Sequence, residues 1–220
     1  MQISDQIIYK NKQLIAFNKP GGIPVQPDKT GDKSLTDLAG IYAKIPVFAT
    51  HRIDRPASGI VLFAKNKKSL ALLSEQFKNR SISKTYLAVV KKLPTPSASE
   101  LVHHVYVQGN NKAVALDEPG KRTKEARLSY RLLASSDNYH LLEVKLFTGR
   151  QHQIRVQLAA IGSPIKGDVK YGARRGNKDR SIQLHSWKMA FNHPVTNERV
   201  ELQASVPEGG VWEAFREVTE

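Results

Sequence analysis

Strand-like windows outnumber helical ones along this chain, and the two kinds do not alternate one for one. Apolar, β-branched or alternating stretches occur at 13–18, 60–64, 84–90, 101–107, 126–132, 139–147, 183–191 and 199–205, whereas apolar residues at helical spacing appear only near 34–43, 67–79, 149–161 and 211–218. A purely parallel sheet needs a crossover, usually a helix, between successive strands. This order of elements excludes such a sheet and predicts an α+β architecture, a mixed and largely antiparallel sheet with flanking helices. The 220 residues fit one domain over the whole chain, 1–220, or two lobes joined near 91–100, where Pro94 and Pro96 sit among small polar residues.

Local signals place several elements. Leu35, Leu38 and Ile41 recur every third residue on a helix over 34–43; Asn66 is placed to cap the next helix, whose Leu70, Leu73 and Phe77 form one apolar stripe. Thr148 is read as the cap of the helix at 149–161, with Ile154, Leu158 and Ile161 facing inward and Gly162 ending it. Arg155 lies one position off that stripe. Its guanidinium either snorkels to solvent, the commoner outcome, or pairs with a carboxylate brought in from elsewhere. Residues 109–125 read as one long exposed loop, and 167–180 as the most basic loop of the chain, with Tyr171 free for stacking.

The imbalance of charge points to a partner. Lys and Arg number 34 against 20 Asp and Glu, a net charge of +14, which favours a polyanion such as nucleic acid. The chain contains no cysteine, so disulfides, thiolate zinc sites, iron–sulfur clusters and thiol nucleophiles are excluded. His103 and His104 would face opposite sides of a strand and cannot clamp one metal. With neither a signal-peptide start nor an apolar run near the roughly 18 residues of a membrane span, the expectation is a cytoplasmic protein without metal, cofactor or membrane contact. No segment asks for an obligate protein partner, and the chain is read as a monomer.

The stretch 51–64, His-Arg-Ile-Asp-Arg-Pro-Ala-Ser-Gly followed by Ile-Val-Leu-Phe-Ala, carries the candidate chemistry. Asp54 stands between Arg52 and Arg55, and flanking cations favour an ionised carboxylate competent as a nucleophile. Pro56, Ser58 and Gly59 read as a turn into a buried strand at 60–64. Against this stands the ordinary reading of a solvated ion pair in a turn. A kinase catalytic loop is excluded, because Ile53 interrupts the His-Arg-Asp pattern and neither Asp-Phe-Gly nor a Gly-rich loop is present.

Four separated motifs together resemble the RluA-type family of RNA pseudouridine synthases. They are Asn18-Lys19-Pro20-Gly21-Gly22; His51-Arg52-Ile53-Asp54 with Ser58-Gly59; Lys84-Thr85-Tyr86 with Ala88; and 148–155, Thr-Gly-Arg-Gln-His-Gln-Ile-Arg, followed by Gly167-Asp168 and Tyr171-Gly172. The resemblance implies a pseudouridine synthase fold with a central cleft and isomerisation of specific uridines in ribosomal or transfer RNA. It implies Asp54 as the catalytic carboxylate, acting on sugar or base or taking a ribose proton. Tyr86 would pack on the target base, Arg155 would pair with the catalytic Asp, and Arg52 would fill the space the flipped base leaves. The chemistry agrees with this assignment, since an extruded uridine costs about a few kcal/mol and stacking by an arginine and an aromatic ring can offset it. Two departures stand out. Many members have Thr where this chain has Ala57, and many carry a small RNA-binding domain ahead of the catalytic one, whereas only about a dozen residues precede the strand at 13–18. RNA affinity would then rest on 109–125 and 166–180. The alternative is a non-catalytic RNA-binding protein with the same fold.

Overall fold

The computed structural model describes residues 2–109 and 111–219. In chain order the elements are β1 (Ile7–Lys10), β2 (Leu14–Lys19), α1 (Leu35–Ala43), β3 (Phe48–Ala49), β4 (Ser58–Ala64), α2 (Lys67–Lys78), β5 (Ser83–Val90), β6 (Ala98–Val107), β7 (Ala113–Leu116), β8 (Lys124–Ser135), β9 (His140–Leu146), α3 (Gln153–Ala160), β10 (Leu184–Asn192), β11 (Arg199–Gln203) and α4 (Arg216–Thr219). Two units divide the chain, one up to Ser83 together with His185–Pro207, the other Lys84–Leu184 with the residues from Glu208 on.

In the first unit β4 is the central strand. It runs antiparallel to β2 and β3 and parallel to β10, which itself pairs antiparallel with β11. Both faces are covered, so all seven residues of β4 are buried, and for that reason it reads as an unbroken apolar run. Ile60, Leu62, Leu14, Met189 and Phe191 pack with Leu73 of α2 on one face. Val61, Phe63, Ile15 and Phe17 pack with Leu35 and Ala39 of α1 on the other. Ser34 caps α1 in a reciprocal capping box with Asp37, and Asn66 accepts from the Ser69 amide at the start of α2.

The second unit is antiparallel, in the order β5-β9-β8-β6-β7. Val105 and Ala126 of its strands pack with Val156 of α3 and with Tyr171. Mixed pairing in one unit and wholly antiparallel pairing in the other give the expected α+β class. The segment 91–100 lies inside the second unit, where 91–97 join β5 to β6 and 98–100 already belong to β6.

Several local expectations are corrected. β1, before residue 13, pairs with β2 and was not legible, and the 109–125 loop contains β7, held by pairing with β6. The turn after Asp54 closes at Ala57, and Ser58 and Gly59 already belong to β4, because both pair with β10. Ile41 is 67% exposed, since a spacing of three drifts off the face that Leu35 and Ala39 bury. The closing segment is a 3-10 helix at Gly210–Phe215 before the short α4. No described helix is long and apolar enough to cross a membrane.

Candidate active site

The Asp54 loop connects β3 to β4, and neighbouring side chains pin it at several points. Leu62 donates its amide to His51 Nε2 at 3.1 Å, and the His51 ring packs on Phe77 of α2. Thr50 donates through Oγ1 to the Leu62 carbonyl at 2.8 Å. The turn itself is closed by the Ala57 amide on the Asp54 carbonyl, 3.0 Å. Asp54 is half-buried and Arg52 is exposed.

Arg55 faces away from its neighbouring acid. Its guanidinium pairs with Asp28 and Asp32 and donates to Thr30, while Nε donates to the Gly22 carbonyl at 2.8 Å. The Gly22 amide returns a bond to the Arg55 carbonyl, also 2.8 Å. The expectation that Asp54 is flanked by two arginines at its service is corrected for Arg55 alone, which clamps the Asp54 loop to the 20–32 segment instead.

Lys19 lies beneath this clamp. Its side chain is wholly buried, and Nζ donates to the carbonyls of Pro20, Ile23 and Arg55 at 2.9, 2.8 and 3.1 Å. Burial pushes its pKa down to about 7, with the Asp54 carboxylate acting in the opposite direction and Arg55 adding to the depression. One ammonium thus ties the end of β2, the Gly21-Gly22 turn and the peptide after Asp54 together.

In the second unit the 148–155 motif folds onto Gly167-Asp168 and Tyr171. Thr148 is not a helix cap. Its hydroxyl donates to Gln153 Oε1 and accepts the Arg127 amide, both at 2.8 Å, while His152, at φ 54°, precedes α3 without a side-chain cap. Arg155 takes the second of its two expected courses, pairing with a carboxylate. Nε and Nη2 donate to the Asp168 oxygens at 2.6 and 2.8 Å, and the guanidinium lies 4.9 Å from the Tyr171 ring centre. Tyr171 is buried and therefore not free for stacking on RNA. Its hydroxyl accepts the Ala113 amide at 2.8 Å and shares a hydrogen bond of 2.7 Å with His152 Nδ1. Tyr86 is buried on β5, opposite Val144 of β9.

Residues 13–160 match the family model described as RNA pseudouridylate synthase. The chain belongs to this family. It is 30% identical over 203 residues to an uncharacterized RNA pseudouridine synthase of Mycoplasma genitalium, covering 90% of this chain and 66% of that protein, so it spans just under two thirds of that relative's length. It is 31% identical over 219 residues to the tRNA pseudouridine synthase C of Haemophilus ducreyi, covering 90% of this chain and 89% of the relative. The structure of human RNA Pseudouridylate Synthase Domain Containing 4 superimposes with a TM-score of 0.78 at 26% identity, covering 93% of this chain and 90% of that one.

Among the residues that the pseudouridylate synthase resemblance singles out, Arg52 and Asp54 sit on one loop of the first unit, and Tyr86 and Arg155 belong to the second. The two basic segments of the second unit are brought together: Lys170 Nζ donates to the Asn111 carbonyl at 2.8 Å, and Gln151 bonds to the Asn111 side chain. Lys112, Lys121, Arg122, Arg174 and Arg175 are exposed on these segments. Asn177 anchors the root of the 172–181 loop, donating to the Ser181 carbonyl and accepting from Lys166. Sequence reasoning assigned no role to Lys19 or Asp168. The only available signals were a lysine ending an apolar strand and an acid in a quoted motif, and neither names its partner.

Proposed function

We propose that this chain is an RNA pseudouridine synthase acting on specific uridines of ribosomal or transfer RNA, with Asp54 as its catalytic carboxylate. The glycosidic N1–C1′ bond breaks, the uracil turns, the C5–C1′ bond forms, the proton of C5 passes to water, and N1 takes up a proton from water in its place. In this reading Tyr86 packs on the target base, Arg155 steadies the charge of the carboxylate, and exposed Arg52 fills the gap left by the flipped nucleotide. The protein works in the cytoplasm as a monomer, without a cofactor.

The observation that carries this reading is the immobilisation of the Asp54 turn by Lys19, Arg55 and the Ala57 amide, in a chain whose family is defined by this isomerisation. A reacting group held in one orientation avoids the ordering cost that a mobile loop would add to each turnover. Affinity for RNA comes from the joined basic segments 109–125 and 166–180, whose cations neutralise phosphates.

The test is release of tritium from RNA labelled at C5 of uridine. Asp54→Asn is expected to abolish release while RNA binding persists. A wild-type protein that binds RNA but releases no tritium from any ribosomal or transfer RNA would instead favour the non-catalytic RNA-binding reading.

A further inference from the structure

Four residues beyond Asp54, Ser58 opens β4 with its side chain turned inward. Its Oγ lies 2.8 Å from Nδ1 of His185 on β10, and Nε2 of the same ring lies 3.2 Å from the Ala204 carbonyl. A carbonyl only accepts, so Nε2 carries the ring hydrogen, Nδ1 is the acceptor, and the Ser58 hydroxyl donates to it. Ser58 is 4% exposed and His185 is fully buried. Burial also pushes the imidazole pKa down to about 4, so the ring is neutral near pH 7.

A serine donating to a histidine invites comparison with an activated nucleophile. The geometry argues otherwise, since the imidazole's other nitrogen faces a backbone carbonyl rather than a carboxylate, and the hydroxyl is enclosed. The pair instead crosses the parallel contact of β4 with β10, whose register runs only through Ser58–His185 and Gly59–Ser186. At the second of these positions the strands approach so closely that a Cβ on Gly59, at φ 108°, would sit 2.3 Å from the Ser186 carbonyl oxygen. Ala204 is itself held by its amide on the Trp187 carbonyl, 2.9 Å.

We propose that Ser58 and His185 are positioning residues for Asp54. Their hydrogen bond fixes the first residue of β4, and the Asp54–Ala57 turn hangs directly from that residue. The direction of the carboxylate is thereby referred to β10, a strand more than a hundred residues away in the chain. This inference rests on the reading of Asp54 as the catalytic acid.

The full chain is assayed for tritium release and RNA binding as wild type, Asp54→Asn, Ser58→Ala, His185→Asn and His185→Gln. Misplacing a reacting group by an ångström can cost about a hundredfold, so Ser58→Ala should lose about tenfold or more in kcat with KM changed less than about twofold. An asparagine amide oxygen takes the place of Nδ1 and keeps the acceptor for Ser58, whereas a glutamine amide nitrogen takes the place of Nε2 and keeps only the bond to Ala204. His185→Asn should therefore retain several-fold more kcat than His185→Gln. Simple filling of space predicts the reverse order, because glutamine is closer to histidine in size. Wild-type kcat in Ser58→Ala, or His185→Gln equal to or above His185→Asn, overturns the inference while an inactive Asp54→Asn leaves the acid's role standing. An active Asp54→Asn removes both.

Discussion

Arg155 and Asp168 form a two-pronged ion pair in the interior of the second unit, with side chains 5% and 1% exposed. Removing water from two charges is costly, and only their mutual attraction with well-directed hydrogen bonds offsets it. The pair is better understood as a device that orients a guanidinium than as a source of net stability.

Breaking it should be severe. Asp168→Ala leaves a buried cation without this partner and is expected to cost about 3–5 kcal/mol, read from urea denaturation. A loss below about 1 kcal/mol would mean that the guanidinium reorients to water on a surface salt bridge's scale.

Lys19 makes stability depend on pH in an unusual direction. Its folded pKa of about 7 lies below the ordinary lysine value of 10.5, so between those values the unfolded chain binds a proton that the folded one does not. Stability from this group is lost as pH falls through about 7 and regained as pH rises to 10.5. Relative to Lys19→Met, the wild type should gain of order 4 kcal/mol between pH 7 and pH 10 in paired denaturation curves. A gap that shrinks with rising pH would show that the ammonium is favoured inside the fold.

Gly59 admits no side chain. At φ 108° with the Ser186 backbone against it, Gly59→Ala should destabilise by at least ~2 kcal/mol and lower tritium release at temperatures where the wild type is folded. Full stability of this variant in a thermal melt would contradict the close parallel approach of β4 to β10.

Salt dependence measures the basic surface. If Arg174 and Arg175 each neutralise one phosphate of single-stranded RNA, replacing both by Ala should reduce the log–log salt slope of binding by about 1.4. An unchanged slope would place the RNA elsewhere on the protein.

By itself the sequence determined the class of fold, most strands and helices, and the family, because these are set by short-range periodicity and by motifs whose residues are close together in the chain. β4 was readable from its apolar run, and α2 from Asn66 and its stripe. The pairings were not, since a hydrogen bond between residues far apart leaves no mark on the local pattern. Only the tertiary structure decided that Arg55 belongs to Asp28 and Asp32 rather than to Asp54, that Asp168 receives Arg155, and that Tyr171 is an internal hydrogen-bonding group instead of an RNA platform. Burial decided the last link: Lys19 and His185 look like ordinary titratable residues in the chain, and only enclosure, by stripping water from their charged forms, gives them shifted pKa values and fixed partners.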